Sequence, residues 1–149
     1  MVFTGVFEHT LDSKRRLAVP SEIREILREG GFSDVLYVAA GLDGEGLWVW
    51  PERTFLSQAQ EPSQSLIPGV GRSQFDRSFF ARAARLKIDE SGRIRIPDRL
   101  LSAAGIDKSV AVLGVRDRLE VWEPEAWAAH ESLLRETRRQ ILLRASGDT

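Results

Sequence analysis

The spacing of apolar and polar residues along this chain changes from strand-like to helical and back, and it does so twice. Residues 2–10 and 80–88 are predicted to form strands, and each is followed by a short polar turn and a second strand. The second strand is clearest in the alternating residues Arg93-Ile94-Arg95-Ile96. Each of these pairs therefore predicts a β-hairpin.

A short helix and another hairpin are predicted after each of these pairs. Pro20 and Pro97 end the strands and suit the first turn of a helix. Apolar residues follow at helical spacing until glycines at 30–31 and at 105 end the pattern. Strands are then predicted at 35–40, 47–50, 110–115 and 119–122. Each half of the chain is thus predicted to be hairpin, short helix, hairpin.

The remaining segments are a connection and a tail. Residues 58–71 hold prolines and glycines among Gln and Ser, which is typical of a loop or linker. Pro124 begins a predicted long helix that runs to about residue 145, with Trp127, Leu134 and Ile141 spaced seven apart. We expect this stripe to pack on its own domain, although a contact between copies is the alternative. The predicted division is a first unit at 1–57, a linker at 58–76, a second unit at 77–122 and a C-terminal helix at 123–149.

The two halves share a turn motif. Asp12-Ser13-Lys14-Arg15-Arg16 aligns without a gap on Asp89-Glu90-Ser91-Gly92-Arg93, and in both copies three residues separate the last arginine from a proline. An aspartate four residues before an arginine can hold the guanidinium in a fixed direction, ready to donate to phosphate or to guanine. Asp12 and Asp89 are therefore predicted to orient the turns. The alternative is that Asp and Arg only close each turn.

Charge is distributed unevenly, although the net charge is −1. Residues 72–99 contain eight basic and four acidic residues, whereas residues 32–71 contain five acidic residues and one arginine. The first of these stretches predicts a basic patch suited to nucleic acid, with a solvated face as the alternative. We predict DNA contacts from the two turns and the strand after the second, namely from Lys14, Arg15, Arg16, Arg93 and Arg95.

Composition and motifs limit the other possibilities. The chain has no cysteine, which excludes disulfides and cysteine-ligated metal sites, and no P-loop, HExxH or G-x-S-x-G motif occurs. We therefore predict a protein that is not an enzyme and needs no cofactor or metal. Residues 1–5 lack the pattern of a signal peptide and no apolar run is long enough for a spanning helix, so we expect a cytoplasmic, nucleoid-associated protein with no membrane partner.

The doubled Asp-x-x-x-Arg turn, together with Phe3-Thr4-Gly5 and Leu119-Glu120-Val121-Trp122, resembles the MraZ family of bacterial transcriptional regulators over nearly the whole chain. The resemblance implies an α+β fold in which two tandem AbrB/SpoVT-like, swapped-hairpin units form one β-barrel core. It also implies a ring-like homo-oligomer that binds short direct repeats of double-stranded DNA in the promoter of the division and cell-wall gene cluster.

One residue departs from the family pattern, and one other function stays open. Family members usually have glycine where this chain has Arg15, and Gly92 keeps it in the second copy, which indicates a positive φ at this position. Either the first turn is reshaped, or its strain is tolerated because Arg15 contacts DNA. The alternative function is an AbrB-like antitoxin or scaffold that binds another protein through the C-terminal helix.

Overall fold

The computed structural model describes residues 1–60 and 69–147. The strands are β1 (Val6–Thr10), β2 (Leu17–Ala18), β3 (Val35–Ala40), β4 (Leu47–Pro51), β5 (Ala84–Lys87), β6 (Arg93–Ile94), β7 (Ser109–Val115) and β8 (Arg118–Trp122). The helices are α1 (Ser21–Glu29), α2 (Glu52–Ala59), α3 (Val70–Phe79), α4 (Asp98–Ala103), α5 (Pro124–Glu136) and α6 (Arg138–Gly147). The predicted helices after Pro20 and Pro97 and the four strands of the second hairpins are confirmed.

The strands form one large and one small antiparallel sheet. The large sheet has the order β1-β7-β8-β4-β3-β5, and the small sheet pairs β2 with β6. The hairpins β3–β4 and β7–β8 are confirmed, but the two predicted first hairpins are wrong. Instead β1 pairs with β7 of the other half, and β5 pairs with β3. β2 has only two residues and so offers few backbone hydrogen-bonding groups to β1. Each long hairpin, in contrast, has a free edge with which another strand can pair.

The α+β class is confirmed, whereas the predicted barrel is wrong. β1 and β5 are the two edges of the large sheet, and no closed barrel forms within residues 1–60 and 69–147. The order strand, strand, helix, strand, strand nevertheless occurs in each half. The exchange of β1 and β5 between the halves makes the two halves share one sheet.

The large sheet separates a main core from two smaller apolar clusters. One face packs on α1, α4 and the small sheet, with residues such as Ile23, Leu101 and Val38 almost fully buried. Residues on the opposite face point the other way because side chains alternate along a strand. Trp50 there packs under α2 and α3, and Trp122 packs against α5.

Two predicted segments differ from the structure. Residues 70–76 of the predicted linker belong to α3, and residues 58–59 end α2; residues 61–68 lie outside the described part. Glycines at 69 and 71 favour a loop locally, but Phe79 on α3 packs edge-on against Trp50 at 5.9 Å between ring centroids. The predicted long C-terminal helix is two helices, α5 and α6, that meet at Thr137.

The two C-terminal helices differ in how far they pack. Trp127 on α5 contacts Trp122 with ring centroids 5.5 Å apart, as we expected of the apolar stripe. Ile141 on α6 is exposed, as are Leu142 and Leu143. None of the helices that the structure describes combines the length and apolar character needed to cross a membrane.

Candidate functional site

The pairing of β2 with β6 brings the two Asp-x-x-x-Arg turns side by side. Leu17 lies opposite Ile94 and Ala18 opposite Arg93 in this ladder. Each turn is closed in the same way, by a bond from Arg15 N to Asp12 O of 2.8 Å in the first and from Gly92 N to Asp89 O of 2.9 Å in the second. The motif repeated in the sequence is therefore repeated in backbone geometry.

Asp12 organises the first turn. Its Oδ1 accepts hydrogen bonds from the backbone N–H groups of Lys14 at 2.9 Å and Arg16 at 2.8 Å. Its Oδ2 accepts from the Nε of Arg16, also at 2.8 Å. One carboxylate thus holds both the backbone and the guanidinium of Arg16, which stays about one-third exposed.

Asp89 organises the backbone of the second turn, but the guanidiniums cross between the turns. Its Oδ1 accepts from the backbone N–H groups of Ser91 and Arg93, both at 2.9 Å. The Nε of Arg93 lies 3.7 Å from Oδ2 of Asp12, and Nη1 of Arg16 lies 3.5 Å from Oδ2 of Asp89. The two arginines and two aspartates therefore form one mutually paired cluster.

The hydrogen bonds in the turns lower the pKa of both aspartates. For Asp12 the largest cause is the N–H of Arg16, and for Asp89 it is the N–H of Arg93; partial desolvation opposes the shift in each case. Both carboxylates are therefore ionised at neutral pH and present fixed negative charge to Arg16 and Arg93.

The lowered pKa values predict a loss of stability only in acid. A group with a lowered folded pKa stabilises the fold above its ordinary pKa, here 3.8, and loses that contribution as the pH falls through the folded value. We expect NMR titration of the side-chain carboxyl carbons to give midpoints below 3.8 for Asp12 and Asp89. Midpoints at or above 3.8 for the turn aspartates would contradict the expectation.

The remaining predicted contact residues lie around this cluster. Arg15 donates through Nε to Oδ1 of Asp98 at 2.9 Å and through Nη1 to the carbonyl of Asp107 at 3.1 Å. Nη2 of Arg95 lies 3.9 Å from the same Asp98. Lys14 is exposed, and no ion pair joins it to another residue of the described part. Lys14 is thus open to an outside anion, whereas Arg15 already has two partners.

The first turn keeps the backbone shape expected of a glycine. Arg15 has a φ of 60°, close to the 80° of Gly92, so the first turn is not reshaped. Left-handed φ costs an L-residue about 1 kcal/mol or more. The side chain of Arg15 offsets part of this strain through its contacts with Asp98 and Asp107.

Two substitutions at position 15 separate strain from side-chain contacts. Arg15→Gly and Arg15→Ala both lose the contacts, but only glycine relieves the positive φ. We expect the free energy of unfolding of Arg15→Gly to be about 1 kcal/mol higher than that of Arg15→Ala, and its melting temperature to be about 2–4 °C higher. Urea denaturation measures the difference; equal stability of the two variants would show that this φ carries no strain.

The basic stretch 72–99 is not a uniform cationic patch. Arg85 lies 3.4 Å from Glu52, and Lys87 lies 3.9 Å from Asp34, because β5 pairs with β3 of the acidic first half. Two cations of the basic stretch are therefore paired with carboxylates of the acidic stretch. The cations of the two turns are therefore better placed to contact an outside partner than the cations on β5.

Sequence reasoning missed two residues that hold the turns. Asp98 binds Arg15, and Arg24 on α1 lies over Gly92. Both contacts join opposite halves of the chain, so no local pattern marks them. Within the described residues, no group of three or more His, Asp or Glu side chains is placed to hold a metal ion.

Comparison with known proteins identifies the family. The family model described as "MraZ protein, putative antitoxin-like" matches residues 79–146. "Transcriptional regulator MraZ" of Finegoldia magna is 33% identical over 131 residues, 88% of this chain and 87% of that protein. The protein of the same name from Lactiplantibacillus plantarum is 38% identical over 88% of this chain and 89% of its own length. Relatives of this identity match both halves, so the chain belongs to the MraZ family of transcriptional regulators.

Proposed function

We propose that this chain binds double-stranded DNA through its paired Asp-x-x-x-Arg turns. The observation that carries the proposal is the juxtaposition of Arg16 and Arg93, whose Nε atoms lie 2.8 and 3.7 Å from the same oxygen of Asp12. Arginines already held in one direction lose less entropy when they donate to phosphate or to guanine than free arginines do. Lys14, exposed on the first turn, adds a contact with phosphate.

The proposal extends to how the regulator acts. One subunit presents few cations at its two turns and carries a net charge of −1, so the affinity of a single subunit for DNA is modest. A homo-oligomer that sets the same turns against successive direct repeats raises the affinity through effective concentration, provided that repeat and subunit spacings match. The family resemblance points to the promoter of the division and cell-wall gene cluster as the site. Regulation then follows from occupancy of the promoter.

The first test compares two duplexes. Fluorescence anisotropy is measured for the wild-type chain on a duplex that carries the direct repeats of the promoter and on a scrambled duplex, each at two salt concentrations. We expect the repeats to bind at least roughly 10³-fold more tightly, with affinity falling as salt rises. Equal or absent binding to both duplexes at low salt would overturn the proposal.

A second candidate function is that of an antitoxin-like scaffold for another protein. Leu133 on α5 is 53% exposed, and Leu142 and Leu143 on α6 are 60% and 65% exposed. Several exposed apolar side chains close together on a helix are a common feature of helices that dock on partner proteins. Removal of α6 takes away Leu142 and Leu143 without disturbing a buried residue, because no residue of α6 is buried.

We expect a chain that ends at Glu136 to fold and to bind the promoter-repeat duplex, even if it binds as a single subunit. Circular dichroism reports the fold, and anisotropy reports the DNA affinity. Loss of repeat binding in a folded truncated chain would contradict this expectation. Retention of α5 matters because Trp127 packs on Trp122, so a cut directly after Trp122 would expose the smaller apolar cluster around Trp122.

A further inference from the structure

The second turn is covered by a side chain from the first half of the chain. A Cβ atom at residue 92 would lie 2.7 Å from Cζ of Arg24 and within 2.9 Å of its Nη1 and Nε. Real Cβ atoms do not approach other atoms so closely, so the guanidinium of Arg24 occupies the space above Gly92. Gly92 itself has a φ of 80°, which favours glycine independently.

Two hydrogen bonds connect Arg24 with this turn through Val19. The Nε of Arg24 donates to the carbonyl of Val19 at 3.2 Å. The N–H of Val19 donates in turn to the carbonyl of Gly92 at 2.9 Å. Arg24 therefore contacts the second turn directly over Gly92 and indirectly through the backbone of Val19.

The two turns are held from opposite halves by different groups. The first turn is held through its own Arg15, whose side chain pairs with Asp98 at the start of α4 and donates to the carbonyl of Asp107, both in the second half. The second turn is held by the guanidinium of Arg24 on α1 and by the bond from Val19. The two turns share their backbone hydrogen bonds, but the groups that hold them in place differ.

We propose, resting on the DNA-binding function above, that Arg24 is a positioning residue that fixes the second turn for DNA without contacting DNA itself. Arg93 follows Gly92 directly, so the direction of its side chain depends on the backbone that Arg24 covers. A planar guanidinium lies flat on a glycine backbone and also donates to Val19, whereas the ammonium of lysine is a compact charge on a flexible stem. The role therefore requires arginine rather than any cation.

Amide hydrogen exchange measured by NMR tests the support without DNA. We expect Arg24→Ala to speed exchange of the Val19 amide, which donates to Gly92, by roughly tenfold or more. The amide of Arg15, which donates to Asp12 within the first turn, is the internal control and should keep its wild-type rate. Unchanged exchange at Val19, or equal acceleration at both amides, would overturn the proposal.

DNA binding of the folded full-length chain tests the consequence. We expect Arg24→Ala and Arg24→Lys each to weaken binding to the promoter-repeat duplex by roughly 3- to 10-fold, with the dependence on salt unchanged. Arg28→Ala, one helical turn further along α1, removes the same charge and should match the wild type. Full affinity in Arg24→Lys, or a salt slope shallower by about 0.9, would show that Arg24 acts as a charge on phosphate and would overturn its positioning role.

The two proposals fail in different ways. If the wild-type chain binds no duplex, the DNA function fails, while the exchange of Val19 still decides whether Arg24 holds the second turn. If the wild type binds and Arg24→Ala binds equally well, only the positioning role fails.

Discussion

Arg16→Ala is expected to weaken binding of the promoter-repeat duplex by roughly 5- to 150-fold per contacting subunit. This range corresponds to the 1–3 kcal/mol that an oriented arginine contributes at a base or phosphate. The structure gives the reason, since Arg16 is held by Asp12 through its backbone and its Nε and also approaches Asp89. Anisotropy on repeat and scrambled duplexes measures the effect, and a base contact would also lower the ratio of the two affinities.

The matched control for this variant is Arg77→Ala. Arg77 is exposed on α3, a helix that carries neither turn. Its replacement by alanine removes one positive charge, as Arg16→Ala does. We expect it to bind like the wild type apart from a small general electrostatic loss. Because Arg16 is partly exposed, Arg16→Ala should fold normally, which circular dichroism checks. Equal losses in the two variants would mean that net charge, rather than the turns, governs binding.

Phe3→Ala is expected to lower the free energy of unfolding by about 3–5 kcal/mol, the usual cost of truncating a buried phenylalanine. Phe3 is only 1% exposed although it stands three residues from the N-terminus. Its N–H donates to the carbonyl of Arg116 at 2.8 Å, and its carbonyl accepts from Arg116 N at 3.0 Å. The first half is thereby fixed to the second hairpin of the other half.

The neighbouring residue supplies the control for this prediction. Val2 is 57% exposed, so Val2→Ala should change stability by no more than about 0.5 kcal/mol. Phe3→Ala should also lower the melting temperature by roughly 6–20 °C, at about 2–4 °C for each kcal/mol. Urea denaturation of both variants provides the measurement. A cost below about 1 kcal/mol would show that the N-terminal segment does not anchor the exchanged strand.

The close approach of backbone at Gly114 supports the same anchoring. A Cβ atom at residue 114 would lie 2.4 Å from the backbone N of Thr4. The N–H of Gly114 also donates to the carbonyl of Gly5 at 2.8 Å. Glycine at this position therefore lets the N-terminal segment lie directly on β7, which the spacing of apolar residues alone gives no means of predicting.

Features set by neighbouring residues were predictable from the sequence. Strands such as β3 and β7 follow from β-branched and apolar runs bounded by turns, and α1 follows from helical spacing between Pro20 and the glycine pair at 30–31. Comparison with Gly92 in the repeat indicated a positive φ at position 15 but left a reshaped first turn open, and the structure shows that Arg15 keeps the positive φ. The aspartate in each turn bonds backbone groups two and four residues later, so its role is local as well.

Features set by distant residues were not predictable in this way. The helix α3 depends on packing, since its Phe79 packs against Trp50 although the local sequence is typical of a linker. The contacts of Arg15 with Asp98 and of Arg24 with Gly92 join positions more than 60 residues apart. No local spacing marks either contact before the chain has folded.

The sequence by itself determined the strands of the second hairpins, the helices after Pro20 and Pro97, the repeated turn and the family, because each of these depends on residues close along the chain or on the order of residues as a whole. Only the tertiary structure decided the partners of β1, β2, β5 and β6, whereas the hairpins β3–β4 and β7–β8 were predicted. Periodicity tells which face of a strand is buried but not which hydrogen-bonding edge it completes, and here β1 and β5 complete the hairpins of the opposite halves. That exchange, with the pairing of β2 and β6, brings Arg16 and Arg93 to one carboxylate.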